Sequence, residues 1–149
     1  IGSYIGEGNA FSAEYPDVWI GKSERCKIDS IVSKKSGTTA VTVRNDALNY
    51  EIVSIDIRNA GQTTKSAVGL AINGGNGTLN KVLVGDDQEL STTRNGVSIS
   101  SGAVGKLTEL KGFGFTGVLL SNNSPLTFQV GLSVVIPMPP LRLRIETNT

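Results

Sequence analysis

The apolar residues of this chain come in short runs, and many alternate with polar neighbours. At 38–44, Val41 and Val43 fall on one face of an extended segment, with Thr42 and Arg44 on the other. Such alternation predicts a half-buried strand. Residues 50–58 repeat it, with Ile52, Ser54, Asp56 and Arg58 opposed to Val53, Ile55 and Ile57. Further strands are expected at 27–33, 66–72, 79–84, 96–100 and 103–107, with a short one near 17–20. The strongest apolar stretches are 113–120 and 126–136. The last strand, 141–145, sets Leu141, Leu143 and Ile145 against Arg142, Arg144 and Glu146.

Turn residues punctuate this series at 34–37, 59–61, 73–77 and 121–125. Asn95-Gly96 predicts a hairpin, because both central positions of a type I′ turn need positive φ. The only helical candidate is 86–93, two turns at best, and no internal repeat recurs at a fixed period. About ten strands with turns every ~8–12 residues fit an all-β domain, a β-sandwich or jelly roll with little helix. Residues 1–21 carry Tyr4, Phe11, Tyr15 and Trp19 without a clear period. They read as an irregular lead-in, compatible at 1–9 with a linker from an upstream stalk. Residues 22–149 read as a single sandwich domain.

Composition supports the strand reading. Val and Ile number 26, against 13 Leu and 8 Ala, and Thr adds 13 more β-branched residues. These side chains are stiff at χ1 and pack well on a pleated surface. Charged residues are 18% of the 149, below the ~25% of typical soluble domains. A surface of Ser, Thr and Asn is common on extracellular and virion β-proteins. The start at Ile1 suggests a chain cut from a longer one or matured by proteolysis. The opening residues lack the pattern of a signal peptide. The longest mostly apolar run, 126–138, is short of the ~20 residues a membrane helix needs, so no membrane insertion is expected.

The charge and histidine counts narrow the chemistry. Fourteen basic and 13 acidic side chains leave +1, which implies no strong pull on nucleic acid. The chain has no His, so the usual general base and the commonest zinc ligand are missing. Neither Ser-x-x-Lys nor Gly-x-Ser-x-Gly occurs. Cys26 lies between Arg25 and Lys27, which favours a thiolate, but a structural cysteine is the plainer reading. The expectation is a protein that is not an enzyme and holds no cofactor.

Three groups remain as candidate sites. Asp86, Asp87 and Glu89 form the densest acidic cluster, a calcium-type site by ligand chemistry or, more plainly, a solvated loop. Paired carboxylates for glycoside hydrolysis are a further reading of the same residues. Trp19, with Tyr4 and Tyr15, is a candidate platform for sugar stacking, although a lone Trp more often sits in a core. Arg142 and Arg144 share one face of the last strand and suit a carboxylate partner, or simply line a polar outer face. The Gly-rich 73–77 lacks the pattern of a phosphate loop and reads as a hairpin loop. Asn76-Gly77-Thr78 and Asn122-Asn123-Ser124 fit the glycosylation acceptor pattern.

The whole pattern, a Gly-containing lead-in at 1–9, Ser/Thr/Asn-rich strands and the long apolar strand 126–136, resembles viral and phage knob domains. These cap spikes, fibres and tail needles and include jelly rolls of the tumour-necrosis-factor-like type. The resemblance implies a homotrimer, with the face of Val130, Leu132, Val134 and Ile136 serving as core or interface. It implies a virion-surface or extracellular attachment knob that contacts a host receptor or glycan. The alternative is a carbohydrate-binding module or bacterial adhesin domain that reads a glycan through Trp19 and the tyrosines.

Overall fold

The computed structural model describes residues 2–7, 16–62, 67–86, 95–113, 118–132 and 145–147. Among them are twelve strands and no helix. The odd-numbered strands form one sheet: β1 (Ser3–Glu7), β3 (Cys26–Lys34), β5 (Leu48–Arg58), β7 (Asn76–Gly85), β9 (Val104–Phe113) and β11 (Phe128–Leu132). The even-numbered strands form the other: β2 (Val18–Ile20), β4 (Val41–Val43), β6 (Val68–Ile72), β8 (Asn95–Ile99), β10 (Val118–Asn122) and β12 (Ile145–Thr147). Every strand pairing is parallel.

The chain is thus all-β, as expected, but it is a β-solenoid of about four turns and not a sandwich or jelly roll. A jelly roll pairs antiparallel strands, many of them joined by hairpins. Here consecutive strands lie in opposite sheets and never pair. A parallel pair needs a long crossover, and each crossover is a strand of the opposite sheet with a corner on either side. The segment read as an irregular lead-in supplies β1 and β2, which pair with β3 and β4.

The repeat is real but uneven. Ile28, Ile52, Leu79, Leu107 and Val130 stand on successive rungs, offset by 24, 27, 28 and 23 residues. In the second sheet Val18, Val41, Leu70, Val97, Leu120 and Ile145 follow at offsets of 23, 29, 27, 23 and 25. Corners of unequal length absorb the variation, so no fixed period is visible in the sequence.

The core lies between the sheets. In the first sheet, β3 buries Ile28 and Ile31, β5 Ile52 and Ile55, β7 Leu79 and Val82, and β9 Leu107 and Leu110. Two less buried residues separate each pair. On these four rungs the strand therefore bends around the core at the same place. This corrects the simple alternation expected at 50–58, since Ile52 and Ile55 both face inward. In the second sheet, Val41, Leu70, Val97 and Leu120 stack in one buried row, and Val43, Ile72 and Ile99 in the next. Each such side chain contributes ~1.5–3 kcal/mol by leaving water.

Backbone hydrogen bonds carry the ladder through the corners. Lys35, Asn59 and Asp86 N–H groups donate to the Arg58, Gly85 and Phe113 carbonyls at 2.8, 2.9 and 3.0 Å. At the opposite corner, Arg44, Asn73, Ser100 and Asn123 donate to Ile20, Val43, Ile72 and Ile99 at 2.8, 2.8, 2.8 and 2.9 Å. The 73–77 segment is therefore not a hairpin loop: 73–75 form a corner between β6 and β7 of opposite sheets, and Asn76 and Gly77 open β7. Nor does Asn95-Gly96 turn a hairpin. Asn95 opens β8, paired with Val68 on one side and Val118 on the other. The expected helix at 86–93, apart from Asp86, lies outside the described residues. So do 133–136, including Val134 and Ile136, and 141–144.

Candidate functional site

Among the described residues β2 is an edge strand of the second sheet. Its three residues alternate, with Ile20 buried in the core and Trp19 directed outward and 52% exposed. The register with β4 sets Trp19 beside Thr42. One residue past each strand come Gly21 and Arg44, and the Arg44 N–H donates to the Ile20 carbonyl at 2.8 Å. Gly21 has no side chain to stand beside Arg44, and Arg44 fills the space. A Cβ at position 21 would lie 2.6 Å from Arg44 Cδ and 2.8 Å from Asp46 Oδ1.

The guanidinium carbon of Arg44 sits 5.1 Å from the centre of the Trp19 ring. A cation over an exposed aromatic face is worth ~0.5–1 kcal/mol. Arg44 Nη2 is also 3.1 Å from Asp46 Oδ2, while Asp46 Oδ1 is buried with no hydrogen-bond partner. Lys22, held at φ 48°, adds a second cation. Trp19, Gly21, Lys22 and Arg44 together line an open depression of about 190 Å³. It offers an aromatic surface and two cations, one of which is paired with Asp46 outside the lining.

A second concavity, of about 240 Å³, lies over the first sheet between Ser54, Asp56, Lys81, Leu83, Glu109 and Lys111. Both of its carboxylates are paired. Arg58 Nε meets Asp56 Oδ1 at 2.7 Å, and Lys111 Nζ meets Glu109 Oε1 at 2.7 Å. Lys81 leaves the second concavity with one cation in excess, as in the first; the first differs in having an aromatic ring in its lining.

The other candidates fare differently. Tyr4 does not join Trp19; it lies in β1 beside Ile31 and packs on the core. Tyr15 and Phe11 lie outside the described residues, as do Arg142, Arg144, Asp87 and Glu89. Asp86 is 1% exposed at a corner. Among the described residues no group of three or more His, Cys, Asp or Glu is placed to hold a metal. Cys26 is half-buried beside Tyr50 and packs on the core.

Both acceptor asparagines have engaged carboxamides. Asn76 Oδ1 accepts from the Asn49 N–H at 2.9 Å, and Asn76 Nδ2 donates to Asn49 Oδ1 at 3.3 Å. Asn122, 3% exposed, donates from Nδ2 to the Phe128 carbonyl at 3.0 Å and accepts from the Ser124 N–H at 2.8 Å.

Sequence reasoning singled out Trp19 but missed Arg44 and Lys22. The outward parity of Arg44 was readable. Its place beside Trp19 follows only from a parallel register of 23 residues. No family model matches this chain, and neither does any curated protein or solved structure.

Proposed function

We propose that this chain is a non-enzymatic attachment module, a stiff solenoid segment of a surface spike, fibre or adhesin. In this reading it contacts a host-cell glycan through the depression at the edge of its second sheet. The observation that carries the reading is Trp19, the single tryptophan of the chain. It is half exposed on an edge strand and is fixed there by Arg44. An indole offers sugar rings a large apolar face, and exposed aromatics of this kind serve recognition more than folding. Stacked parallel coils suit the rest of the role, because each rung is held by its neighbours along the whole length.

An array of cell-surface glycans tests the reading. Wild-type protein is expected to be retained on a subset of glycans, and Trp19→Ala is expected to lose that retention while melting near the wild-type temperature. If no glycan is retained, or if Trp19→Ala binds as well as wild type, the proposal is wrong.

A further inference from the structure

We infer that the ligand of the Trp19 depression is an acidic saccharide, a sugar chain bearing carboxylate or sulfate groups. The inference rests on the attachment reading above and names its ligand class. Four features of the site carry it.

Two cationic side chains, Lys22 and Arg44, line the same small depression as the indole. The Asp46 carboxylate, which does not line the depression, is engaged with Arg44 on one oxygen. Asp46 Oδ2 meets Arg44 at 3.1 Å, and Oδ1 is buried. Arg44 is also pre-positioned, held at one side by Asp46 and at the other by the Trp19 ring. A guanidinium has five N–H donors in a planar fork. One contact to Asp46 leaves donors for a second anionic group, and carboxylates and sulfates match the fork in geometry. A saccharide fits where a free anion does not, because the apolar face of a pyranose ring can rest on the exposed indole beside those cations. The neutral overall balance of the chain, +1, confines the excess charge to a local patch and argues against a long polyanion such as nucleic acid.

The contrast with the first-sheet concavity supports the choice. There, Asp56 and Glu109 are matched by Arg58 and Lys111 and Lys81 is a cation over, but no aromatic ring lines the concavity for a sugar to rest on.

The sole tryptophan makes the test direct, since all indole emission reports on the proposed site. Fluorescence titrations of the intact chain use four probes: a carboxylated oligogalacturonate, a sulfated heparin oligosaccharide, a neutral malto-oligosaccharide and an acidic peptide. An acidic saccharide is expected to shift Trp19 emission and bind at least about tenfold more tightly than the neutral one, a difference of ~1.4 kcal/mol. The carboxylated and sulfated arms identify which anion is preferred. Lys22→Glu is expected to weaken binding of the acidic saccharide about tenfold more than binding of the neutral one. Raising salt from about 50 mM to about 500 mM should weaken acidic binding selectively, because screening shortens to a few ångströms.

Equal affinity for neutral and acidic chains overturns the inference and leaves the attachment reading standing. Equal binding of the acidic peptide overturns the saccharide class. If the array retains glycans through Trp19 and none is acidic, the inference falls alone. If wild type binds no saccharide in either experiment, both fall. Thermal unfolding of Lys22→Glu alongside wild type separates a lost contact from a lost fold.

Discussion

Two arginines in this solenoid each lie over an aromatic ring, and the two pairs have opposite fates. Arg58 stands 4.8 Å from the centre of the Phe113 ring, and Arg44 stands 5.1 Å from that of Trp19. Each arginine is braced by an aspartate two residues away, Asp56 at 2.7 Å and Asp46 at 3.1 Å. Each pair depends on a glycine. Gly85 lies between Arg58 and Phe113 on the rung that separates them, and the Phe113 ring covers it. Gly21 makes room for Arg44. Yet Phe113 is 7% exposed and Trp19 is 52% exposed. The first pair spans three rungs of the first sheet, β5, β7 and β9, and closes over the middle one. The second sits on an edge strand of the second sheet, where no further rung pairs beyond β2 among the described residues. The same device is a clasp in one place and an open surface in the other, and position on the ladder decides which.

Truncating the two rings should separate these roles most sharply. Phe113→Ala removes a buried aromatic and is expected to cost ~3–5 kcal/mol in denaturant unfolding. Trp19→Ala removes a half-exposed ring on the surface and is expected to cost about 1 kcal/mol or less. If Trp19→Ala destabilises as much as Phe113→Ala, Trp19 is a structural residue and the attachment reading loses its site.

The glycines sharpen the comparison at a smaller scale. A Cβ at Gly85 would lie 2.3 Å from Phe113 Cε1 and Cζ. Gly85→Ala must push the ring off its seat, at an expected ~1–3 kcal/mol. At Gly21 the nearest atom belongs to the long side chain of Arg44, which can swing into solvent. Gly21→Ala is expected to cost about 0.5–1 kcal/mol, the worth of the cation–π contact it displaces. It should nevertheless change Trp19 emission, because Arg44 leaves the ring. An unchanged spectrum would mean that Arg44 is not held where the depression needs it.

The sequence made the strands legible and left their partners hidden. The excess of Val, Ile and Thr pointed to an all-β chain, and the alternation at 41–43 fell within β4. Alternation is the same whether a neighbour runs parallel or antiparallel, so it could not choose a solenoid over a jelly roll. The better signal was present and misread. Ile28 and Ile31, Ile52 and Ile55, Leu79 and Val82, and Leu107 and Leu110 are apolar pairs three apart, a spacing that plain alternation does not produce. Their recurrence marks the shared bend of the first sheet. The site divides in the same way. Trp19 was conspicuous as the only tryptophan, whereas Arg44 became its neighbour only through the register of β2 with β4. Asn95-Gly96 misled because its turn propensity was outweighed by two parallel partners.

A third aromatic tests whether burial alone sets these differences. Tyr50 is 2% exposed in β5, and its hydroxyl is buried without a hydrogen-bond partner. An unsatisfied buried hydroxyl is a cost, so Tyr50→Phe should be neutral or stabilise by about 1 kcal/mol at neutral pH. Burial also pushes the Tyr50 phenol above its ordinary value, because the charged form loses hydration. The folded chain therefore keeps this proton at a pH where the unfolded chain releases it. Below the unfolded value of about 10 the contribution to stability is fully present. As pH rises above about 10 the unfolded state sheds the proton first, and wild-type stability should fall by up to ~1.4 kcal/mol per pH unit from this group. Tyr50→Phe removes that loss, so the gap between variant and wild type in urea unfolding should widen from pH 9 to pH 11. A gap that stays constant would mean that the phenol finds solvent or a partner on ionising, and the interior of the solenoid would then be less closed at Tyr50 than at Phe113.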